Sequence, residues 1–522
     1  MKHTVPTHSI RPPALTRRQF VGTAMAATVM SGIRPTSQLH AASAPSPYQL
    51  FWGDLHNHNA VGYAKGSLER SIDPARAHLD FFAFTGHASW HDMPRMPGDR
   101  HMLWVNGFKE HLDHWEKTRR MLQDAATDRF VALLGYEWHS SVFGDYCLIF
   151  DRDQPDLFLP DHVDKLHDFA ESKGAMAIPH HLGYREGWRG ANWKYFRGGN
   201  VSPVVEIMSE HGCAETERGP FDYIRHSLGG RWTANTVAPH LARGVRFGFV
   251  ASSDDHLGYP GAYGEGVLGV WAQSLDPKEL FEAIRARRTY ASSGERIALE
   301  FTLNGHPMGA ALPFASEREI DVVVEGQDAV EMVELVRNGR VIERHFPGDT
   351  ANPLRLPSRA KCRIRYGWGP WGQLALDRVC QWDMTIRLDG GRFHRALGCF
   401  QNAPFGEDFR DKLTIVSATE LHLQSPTARS GAFAEDPTKA IVCDLEARPE
   451  ANLIVELRSP VRQTVTARLS DLIEENVVTI TGGFPSESFI MERLVGPSGK
   501  TFGRRGRVQC RRGENGNQRK GA

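Results

Sequence analysis

The sequence lacks an excess of charge of either sign. Lys plus Arg number 62 and Asp plus Glu number 62 in 522 residues, so no global field draws the chain to nucleic acid or to an anionic membrane. Closely spaced cysteines are also missing. The seven present (Cys147, Cys213, Cys362, Cys380, Cys399, Cys443, Cys510) contain no C-x-x-C, which excludes a zinc ribbon and a thioredoxin-type redox pair. The odd count leaves at least one thiol outside any disulfide, and spacing does not reveal how the others would pair. Beyond the N-terminal region no segment stays apolar for 18 residues, so no later transmembrane helix is expected. Histidine is scarce in the second half: 20 of 24 lie at or before His256, and only His306, His345, His394 and His422 follow. Chemistry is therefore expected in the first half.

The length and a hydrophobic content of 41% support a large core and more than one domain. At the N-terminus, "TRRQFVGTAMAATVMSGI" places Arg17 and Arg18 before a short apolar run, and "AASA" at 41–44 offers a small-residue cleavage site. The segment resembles a twin-arginine export signal, so residues 1–44 are expected to be removed and the protein to be periplasmic.

From 45 to 298 short apolar runs alternate with helical stretches, the pattern of a mostly parallel α/β domain. The expected strands are "YQLFWGDL", "FFAFTG", "FVALLGYE", "YCLIF", "AMAIP", "PVVEIM" and "FGFVASS". Helices are expected from Asp73 as N-cap with Pro74 in the first turn, over about 101–124, from Asp161 to a Gly174 stop, and after Asp276 and Pro277. From 299 to 490 the runs read as a β-sandwich-like domain with Gly, Asn, Asp and Pro turns. Residues 491–522 form a basic, Gly-rich tail that is expected to be disordered.

The stretch "GDLHNHNAVGYAKG" puts His56 and His58 at the end of the first apolar run. Side chains at i and i+2 of a strand share a face and can converge on one ion. Barrel and open-sheet sites collect residues from the carboxyl ends of their strands, and the other expected strands also end in ligating types. They lead into His87, Glu137, His180 with His181, Glu206 with His211, and Asp254 with Asp255 and His256. A His, Asp and Glu cluster without a cysteine set suits a hydrolytic site for zinc, manganese or iron.

In order, "GDLHNH", "DFFAFTGH", "LLGYEW", "AIPHH", "EIMSEHG" and "SSDDH" resemble the polymerase-and-histidinol-phosphatase (PHP) metallohydrolases over about 50–257. The stretch through "LFEAIRARRTYASSGERIALEFTLNGHPMG" is similar to the larger bacterial members of the carbaryl-hydrolase type. The resemblance implies a distorted seven-stranded (β/α) barrel. It also implies that His56, His58, Glu137 and Asp254 hold one divalent transition-metal ion, and that Glu137 bridges to a second completed by His180 and His211. A metal-bound hydroxide would then be the nucleophile.

The chain departs from the family pattern in two places. "NAVGYAKG" supplies no acid or histidine after the H-x-H pair, and Gly86 stands where an aspartate is common. His87 and His256 remain as the obvious ligands of a third position, which His91 or Asp92 could join from the next loop. Two ions are therefore expected, with His87 or His256 free to act as general acid or to hold a substrate oxygen. Alternation turns His181 and Asp255 away from the site, and Glu206 and Cys213 are candidates to stand behind the ligands, orienting imidazoles or filling space.

Three functions are compatible with these residues. The first is an exported phosphoesterase. The second is a carboxyl or carbamate ester hydrolase, and the third a non-catalytic glycan- or partner-binding protein. The loops "ASWHDMPRMPGDRHMLW" and "LGYREGWRGANWKYFRGG" mix aromatics with Arg95, Arg100, Arg185, Arg189 and Arg197. That mixture suits a small-molecule ester with a planar group or an anion, or simple packing of long loops. No nucleic-acid partner is expected.

Overall fold

The computed structural model describes residues 46–469 apart from 97, 188, 217–231, 295, 327–329, 331, 347–358, 368–379, 401–410, 428–438 and 461. The expected export signal, the basic tail and Cys510 lie outside the described residues.

The N-terminal half is a mixed α/β structure. Its strands are β1 (Gln49–Asp54), β2 (Phe81–Phe84), β3 (His87–Trp90), β4 (Val131–His139), β5 (Tyr146–Phe150), β6 (Met176–Pro179), β7 (Val204–Ser209), β8 (Gly212–Cys213), β9 (Gly248–Ala251), β10 (Val267–Ala272) and β11 (Thr289–Ser292). All seven expected strands form, while β3, β8, β10 and β11 were not foreseen. An eight-stranded sheet runs in the order β11-β10-β1-β2-β4-β5-β6, with β3 also on β4. A separate sheet, β8-β7-β9, lies across its open side. There Ala177 N–H donates to the Val201 carbonyl at 2.8 Å, and Thr289 Oγ1 donates to the Phe249 carbonyl at 2.9 Å.

The sheet is mixed, contrary to the mostly parallel expectation. β1, β2 and β4 are parallel, whereas β10 with β1, β4 with β5 and β5 with β6 are antiparallel. The connection between β4 and β5 explains part of this: residues 140–145 form a short hairpin loop, with no room for a crossover helix.

Period-two alternation sorts the strand residues. Phe51, Phe81, Ala83, Val131, Leu133, Ile149, Met176, Ile178, Val204, Val250 and Leu268 meet in one interior core. Phe82, Phe84, Leu134, Tyr136, Leu148 and Phe150 pack on the other side, under the helices α1 (Leu68–His78), α2 (Arg100–Ala125) and α3 (Val163–Lys173). Two short elements follow, α4 (Val237–Ala242) and α5 (Pro277–Arg285), the latter capped by Asp276 as expected. α1 starts a turn and a half before the expected Asp73. Ser67 Oγ accepts the Arg70 N–H at 3.2 Å and caps it there, leaving Pro74 inside the helix. α3 begins after His162 rather than at Asp161, and ends as expected on Gly174 with φ 63°.

Beyond α5 the described chain is antiparallel β: β12 (Ala298–Leu303), β13 (His306–Pro307), β14 (Ile320–Glu325), β15 (Val333–Arg337), β16 (Arg340–His345), β17 (Arg359–Tyr366), β18 (Cys380–Cys399), β19 (Lys412–Ser417), β20 (Glu420–Thr427), β21 (Lys439–Ser459) and β22 (Gln463–Arg468). The largest sheet, β17-β21-β18-β20-β19 with β22 on β21, is continuous rather than two stacked layers. It folds over itself where β18 and β21 shift register between Asp389 and Gly391. Gly391 is needed at this bend, because a Cβ would stand 2.3 Å from that of Ala447. Residues of both halves, including Ile364, Trp382, Ile386, Cys443 and Val455, therefore share one core.

Candidate metal centre

The alternation that fills the interior core continues past it. On β4 the inward series Val131, Leu133 runs on to Glu137 and His139. On β6 and β7 it runs to His180 and Glu206, and beyond β9 to Asp254. β1 supplies its ligands from the turn after Asp54. Buried Asp54 holds that turn: Oδ1 accepts the N–H groups of His56 (3.0 Å) and Ser253 (3.1 Å), and Oδ2 that of Gly261 (2.6 Å). It thereby ties the "GDLHNH" turn to the "SSDDH" turn.

The structure brings together all six expected metal ligands. His56 Nε2 and His58 Nε2 are 3.0 Å apart, and Asp254 Oδ1 lies 3.3 Å from the first and 2.9 Å from the second. Glu137 Oε2 is 3.8 and 3.6 Å from the same two nitrogens, while Oε1 touches His180 Nε2. His211 Nε2 lies 3.3 Å from Asp254 Oδ2. His87, one of the two expected catalytic histidines, has its Nε2 3.4 Å from Glu137 Oε2, and its ring stacks on His58 at 3.9 Å. The other, His256, sits at the edge with its side chain 31% exposed, and its Nδ1 is 3.0 Å from Glu210 Oε1.

Two neighbours depart from expectation in opposite ways. Asp255 points away as alternation requires, its Oδ1 accepting the N–H groups of Leu257 (2.9 Å) and Tyr259 (2.6 Å). His181 does not. Its backbone is left-handed, φ 57°, which turns the ring inward to place Nε2 3.8 Å from Asp254 Oδ2. His91 and Asp92 are not ligands of the cluster. His91 stacks on Trp138, and Asp92 accepts from Ser140 Oγ and from the Ser141 and Val142 N–H groups. Cys213 packs with Met208 and Ala251.

Sequence reasoning missed His139, whose Nε2 lies 3.2 Å from Glu137 Oε2. The signal was present, since His139 stands two residues after Glu137 on one strand. It also missed Asp145, which ends the β4–β5 hairpin and carries no motif. Asp145 Oδ2 lies 3.2 Å from His139 Nδ1, accepts from His181 Nδ1 at 3.0 Å and takes the Arg189 Nε–H at 2.6 Å. Arg189 is itself buried over the faces of Trp90 and Trp104.

Five of the imidazoles are thus held from outside by Nδ1, whereas the Nδ1 atoms of His58 and His180 are buried without a hydrogen bond. Glu206 holds His56 (3.0 Å), the Gly62 carbonyl His87 (2.9 Å), Asp145 both His139 and His181, and the Tyr184 hydroxyl His211 (2.7 Å). Their Nε2 atoms are left facing one another, which is the outer arrangement that orients metal-binding histidines. Inside, Glu137 Oε2, His139 Nε2, His181 Nε2 and Asp254 Oδ2 are buried without a hydrogen bond. Two nitrogens about 2.1 Å from a shared ion stand roughly 3.0 to 3.4 Å apart, which matches the 3.0 Å between His56 and His58. The donor set therefore fits divalent transition-metal ions.

Electrostatics agree with that fit at some donors and not at others: burial opposes the charge on His56 and His139, but Asp254, Cys147 and Glu206 hold the first, and Glu137 and Asp145 the second, above the ordinary imidazole range, and burial holds the Asp254 carboxyl well above its own. Burial holds His58, His87 and His181 well below the ordinary imidazole range, hence neutral, as ligation requires. Burial opposes ionisation of Glu137, but the His139, His180 and His87 rings keep its carboxyl well below the usual range. Burial likewise opposes the charge on Asp145, and the Arg189 guanidinium and His139 outweigh it.

Gly86 is not an open ligand position. A Cβ there would lie 2.4 Å from the Val61 carbonyl oxygen and 2.5 Å from the Phe84 ring. The expectation of two ions rested on a third position with two imidazoles. His87 and His256 group with His58 there, and His87 also groups with Glu137 and His139, each a set of three donors that could hold an ion.

No family model matches the chain. It is 27% identical over 331 residues to an uncharacterized protein of Chlamydia muridarum, covering 58% of this chain and 49% of that protein. Over 247 residues it is 29% identical to one of Chlamydia trachomatis, covering 42% and 39%. The chain thus spans about half or less of the length of these relatives. Among solved structures, it is similar to a two-domain protein containing a predicted PHP-like metal-dependent phosphoesterase from Bacteroides vulgatus. That pair shares 12% identity over 84% of this chain and 99% of the other, with a TM-score of 0.30. PsfC from Pseudomonas syringae is similar at 14% identity over 47% and 91%, with a TM-score of 0.31. Endonuclease Q is similar at 14% identity over 45% and 57%, with a TM-score of 0.27. These likenesses are too distant to assign a function.

Proposed function

We propose that the chain is a metal-dependent hydrolase with a PHP-type centre on a barrel-like sheet, acting on phosphoesters. The observation that carries this reading is Glu137, buried among the inward Nε2 atoms of His56, His58, His87, His139 and His180. Two ions would be held by His56, His58, Glu137 and Asp254, and by Glu137, His180 and His211. His181 stands beside the second set, and His87 with His139 forms a further donor group. Bound ions of this kind supply Lewis acidity and bring the pKa of coordinated water down to roughly 7.

The chain's own residues do the rest. Asp145 and Glu206 fix the imidazole tautomers, Asp54 holds the two ligand turns together, and the buried walls exclude water. His256, the edge imidazole with Nδ1 anchored, is placed to pass a proton to a leaving group.

A second reading, hydrolysis of an aryl carboxyl or carbamate ester, draws on the aromatic wall next to His87. Trp104 lies 4.6 Å from the His87 ring and stacks on Tyr63, with Trp90 behind. The arginines expected to clamp an anion are occupied in part: Arg189 by Asp145, Arg197 by Asp168 and Glu171.

The deciding experiment is a screen of phosphomonoesters, phosphodiesters and aryl carbamates against zinc-, manganese- and iron-loaded protein. Turnover of carbamates alone would replace the first reading by the second. Metal-free protein that takes up no ion and turns over nothing would leave a binding protein. Export to the periplasm is part of the proposal and rests on Arg17 and Arg18. Among the described residues no helix is long and apolar enough to cross a membrane.

A further inference from the structure

The segment from Asp254 to Gly266 carries two residues of the centre and then leaves the barrel-like half. Asp254 sits in the left-handed region, φ 54°, a conformation that costs a non-glycine residue roughly 1–3 kcal/mol and needs support from its surroundings. Part of that support is local. Asp254 N–H donates to the His56 carbonyl at 2.7 Å, and His58 N–H to the Asp255 carbonyl at 2.9 Å. The rest comes from the next residues. Asp255 Oδ1 accepts the Tyr259 N–H at 2.6 Å, and Tyr259 is not in the core of the half that holds the metal residues. Its side chain, 3% exposed, belongs with Ala262 to the core of the folded six-stranded sheet.

That seat is specific. Lys439 and Asp411, both almost fully buried, form an ion pair at 2.8 Å, and the ammonium lies 6.0 Å from the Tyr259 ring and 5.8 Å from that of Phe400. Asp411 also faces the Tyr259 phenol: burial first, and then this carboxylate, push the phenol well above its ordinary range. Four residues on, Tyr263 N–H donates to the Phe400 carbonyl at 2.8 Å. At Gly261 the segment returns to Asp54, which also holds His56. A continuous path of packed side chain and short hydrogen bonds thus joins the β-rich half to the ligand turn.

We propose that the β-rich region is part of the metal centre's scaffold, with Tyr259 as a positioning residue that sets Asp254 and His256 through Asp255. The inference rests on the metal-centre reading above and goes beyond it. A β-rich region of this kind is not a detachable binding module, and metal affinity depends on a side chain seated in its core.

The test uses the full chain and cobalt as the probe, read by chelator competition and by the visible absorption of the bound ion. Tyr259→Ala should weaken cobalt binding at least about tenfold and change the absorption bands, the size of effect expected when support behind a ligand is lost. Tyr259→Phe keeps the ring in its seat and should stay within about threefold of wild type on the same scale. Leu453→Ala, an equally buried truncation in the same core, should lower the melting temperature with cobalt affinity and spectrum unchanged. If Tyr259→Ala does not fold, Tyr259→Leu carries the same expectation. Wild-type affinity and spectrum in the folded Tyr259 variant would overturn the inference, as would an equal loss in Leu453→Ala. Wild-type protein that takes up no cobalt would overturn the metal-centre reading, and this inference with it.

Discussion

Asp145→Asn separates two roles that one carboxylate combines. Its Oδ2 accepts from His181 Nδ1 at 3.0 Å and Arg189 Nε at 2.6 Å and lies 3.2 Å from His139 Nδ1, which is also 3.1 Å from Arg189 Nη2, while Oδ1 accepts the Ser140 N–H at 3.1 Å. The asparagine keeps the shape and one acceptor but loses the charge. Its amide N–H groups must then face ring nitrogens or a guanidinium that are themselves donors. Two imidazoles lose the partner that fixes their tautomer, and losing such a partner typically costs 10- to 100-fold in metal affinity, about 1.4–2.7 kcal/mol. Separately, Arg189 keeps a buried charge with no anion beside it. Breaking a buried ion pair from one side costs about 3–5 kcal/mol, and the contacts with Trp90 and Trp104, present in both proteins, keep the side chain in place between the indoles.

The two effects are separable because Arg189→Met removes the stranded charge and leaves an apolar chain between the two indoles. Asp145→Asn alone should lower both the melting temperature of the metal-free protein and its zinc affinity. Asp145→Asn with Arg189→Met should recover the melting temperature to within about 1 kcal/mol, while zinc affinity stays down 10- to 100-fold. Zinc affinity is read by competition against a chromophoric chelator, and stability by thermal melts without metal. Full zinc affinity in the single variant would refute the orienting role. Recovery of affinity in the double variant would show that the loss came through Arg189 instead.

Glu137→Gln should abolish hydrolysis in a folded protein, and more than about a tenth of wild-type turnover, a loss under ~1.4 kcal/mol, would remove the bridging assignment. Gly86→Asp should add no ion in elemental analysis of dialysed protein and should destabilise by about 1–3 kcal/mol through the clash with the Val61 carbonyl and Phe84. A stable aspartate variant with higher metal content would show that the third position lies at residue 86 after all. His167 is buried with neither ring nitrogen hydrogen-bonded, and burial, aided by the Arg197 charge, pushes it down to about 4. The folded state therefore binds its proton less readily than the unfolded chain. Its contribution is present above about pH 6.5 and is lost as pH falls towards 4, by about 2 kcal/mol between pH 7 and 5. His167→Leu should flatten the acid limb of the stability profile by that amount, and an unchanged limb in urea unfolding would count against it. Replacing Arg17 and Arg18 by lysine should hold the uncut precursor in the cytoplasm, and normal periplasmic delivery of that variant would remove the twin-arginine reading.

The seven expected strands were legible because they are short apolar runs, most of them closed by Gly, Pro or Asp, and burial on both faces leaves little else for such a run to do. Their directions were not. Whether β5 runs with or against β4 depends on the six hairpin residues 140–145, whose Gly144-Asp145 turn signal was not used, so a hairpin read as the start of a crossover. The α1 start was missed because two caps compete within seven residues. Asp73-Pro74 has the stronger composition, but Ser67 lies where the helix can bury Leu68 and Ile72 in the core. The fold of the large β sheet upon itself depends on where two strands of 20 and 21 residues bend, and periodicity does not mark that.

For the centre, the period of two was a better guide than the motifs and was applied too sparingly. It places Glu137 and His139 on one face with equal force, and only the first belonged to a quoted motif. The rule fails at His181, where the chain leaves the extended region, and Asp254 shares that left-handed backbone at φ 54°. Each is a non-glycine residue holding a conformation that costs about 1–3 kcal/mol, and each turns a donor towards the same few ångströms of space. Such strain persists only where surrounding bonds over-determine it, here Asp145 behind His181 and the Asp255–Tyr259 link behind Asp254. An isolated strand-end histidine has no reason to bear that cost. Two strained residues, each braced from a different element and aimed at one carboxylate cluster, are what a site built to hold cations requires.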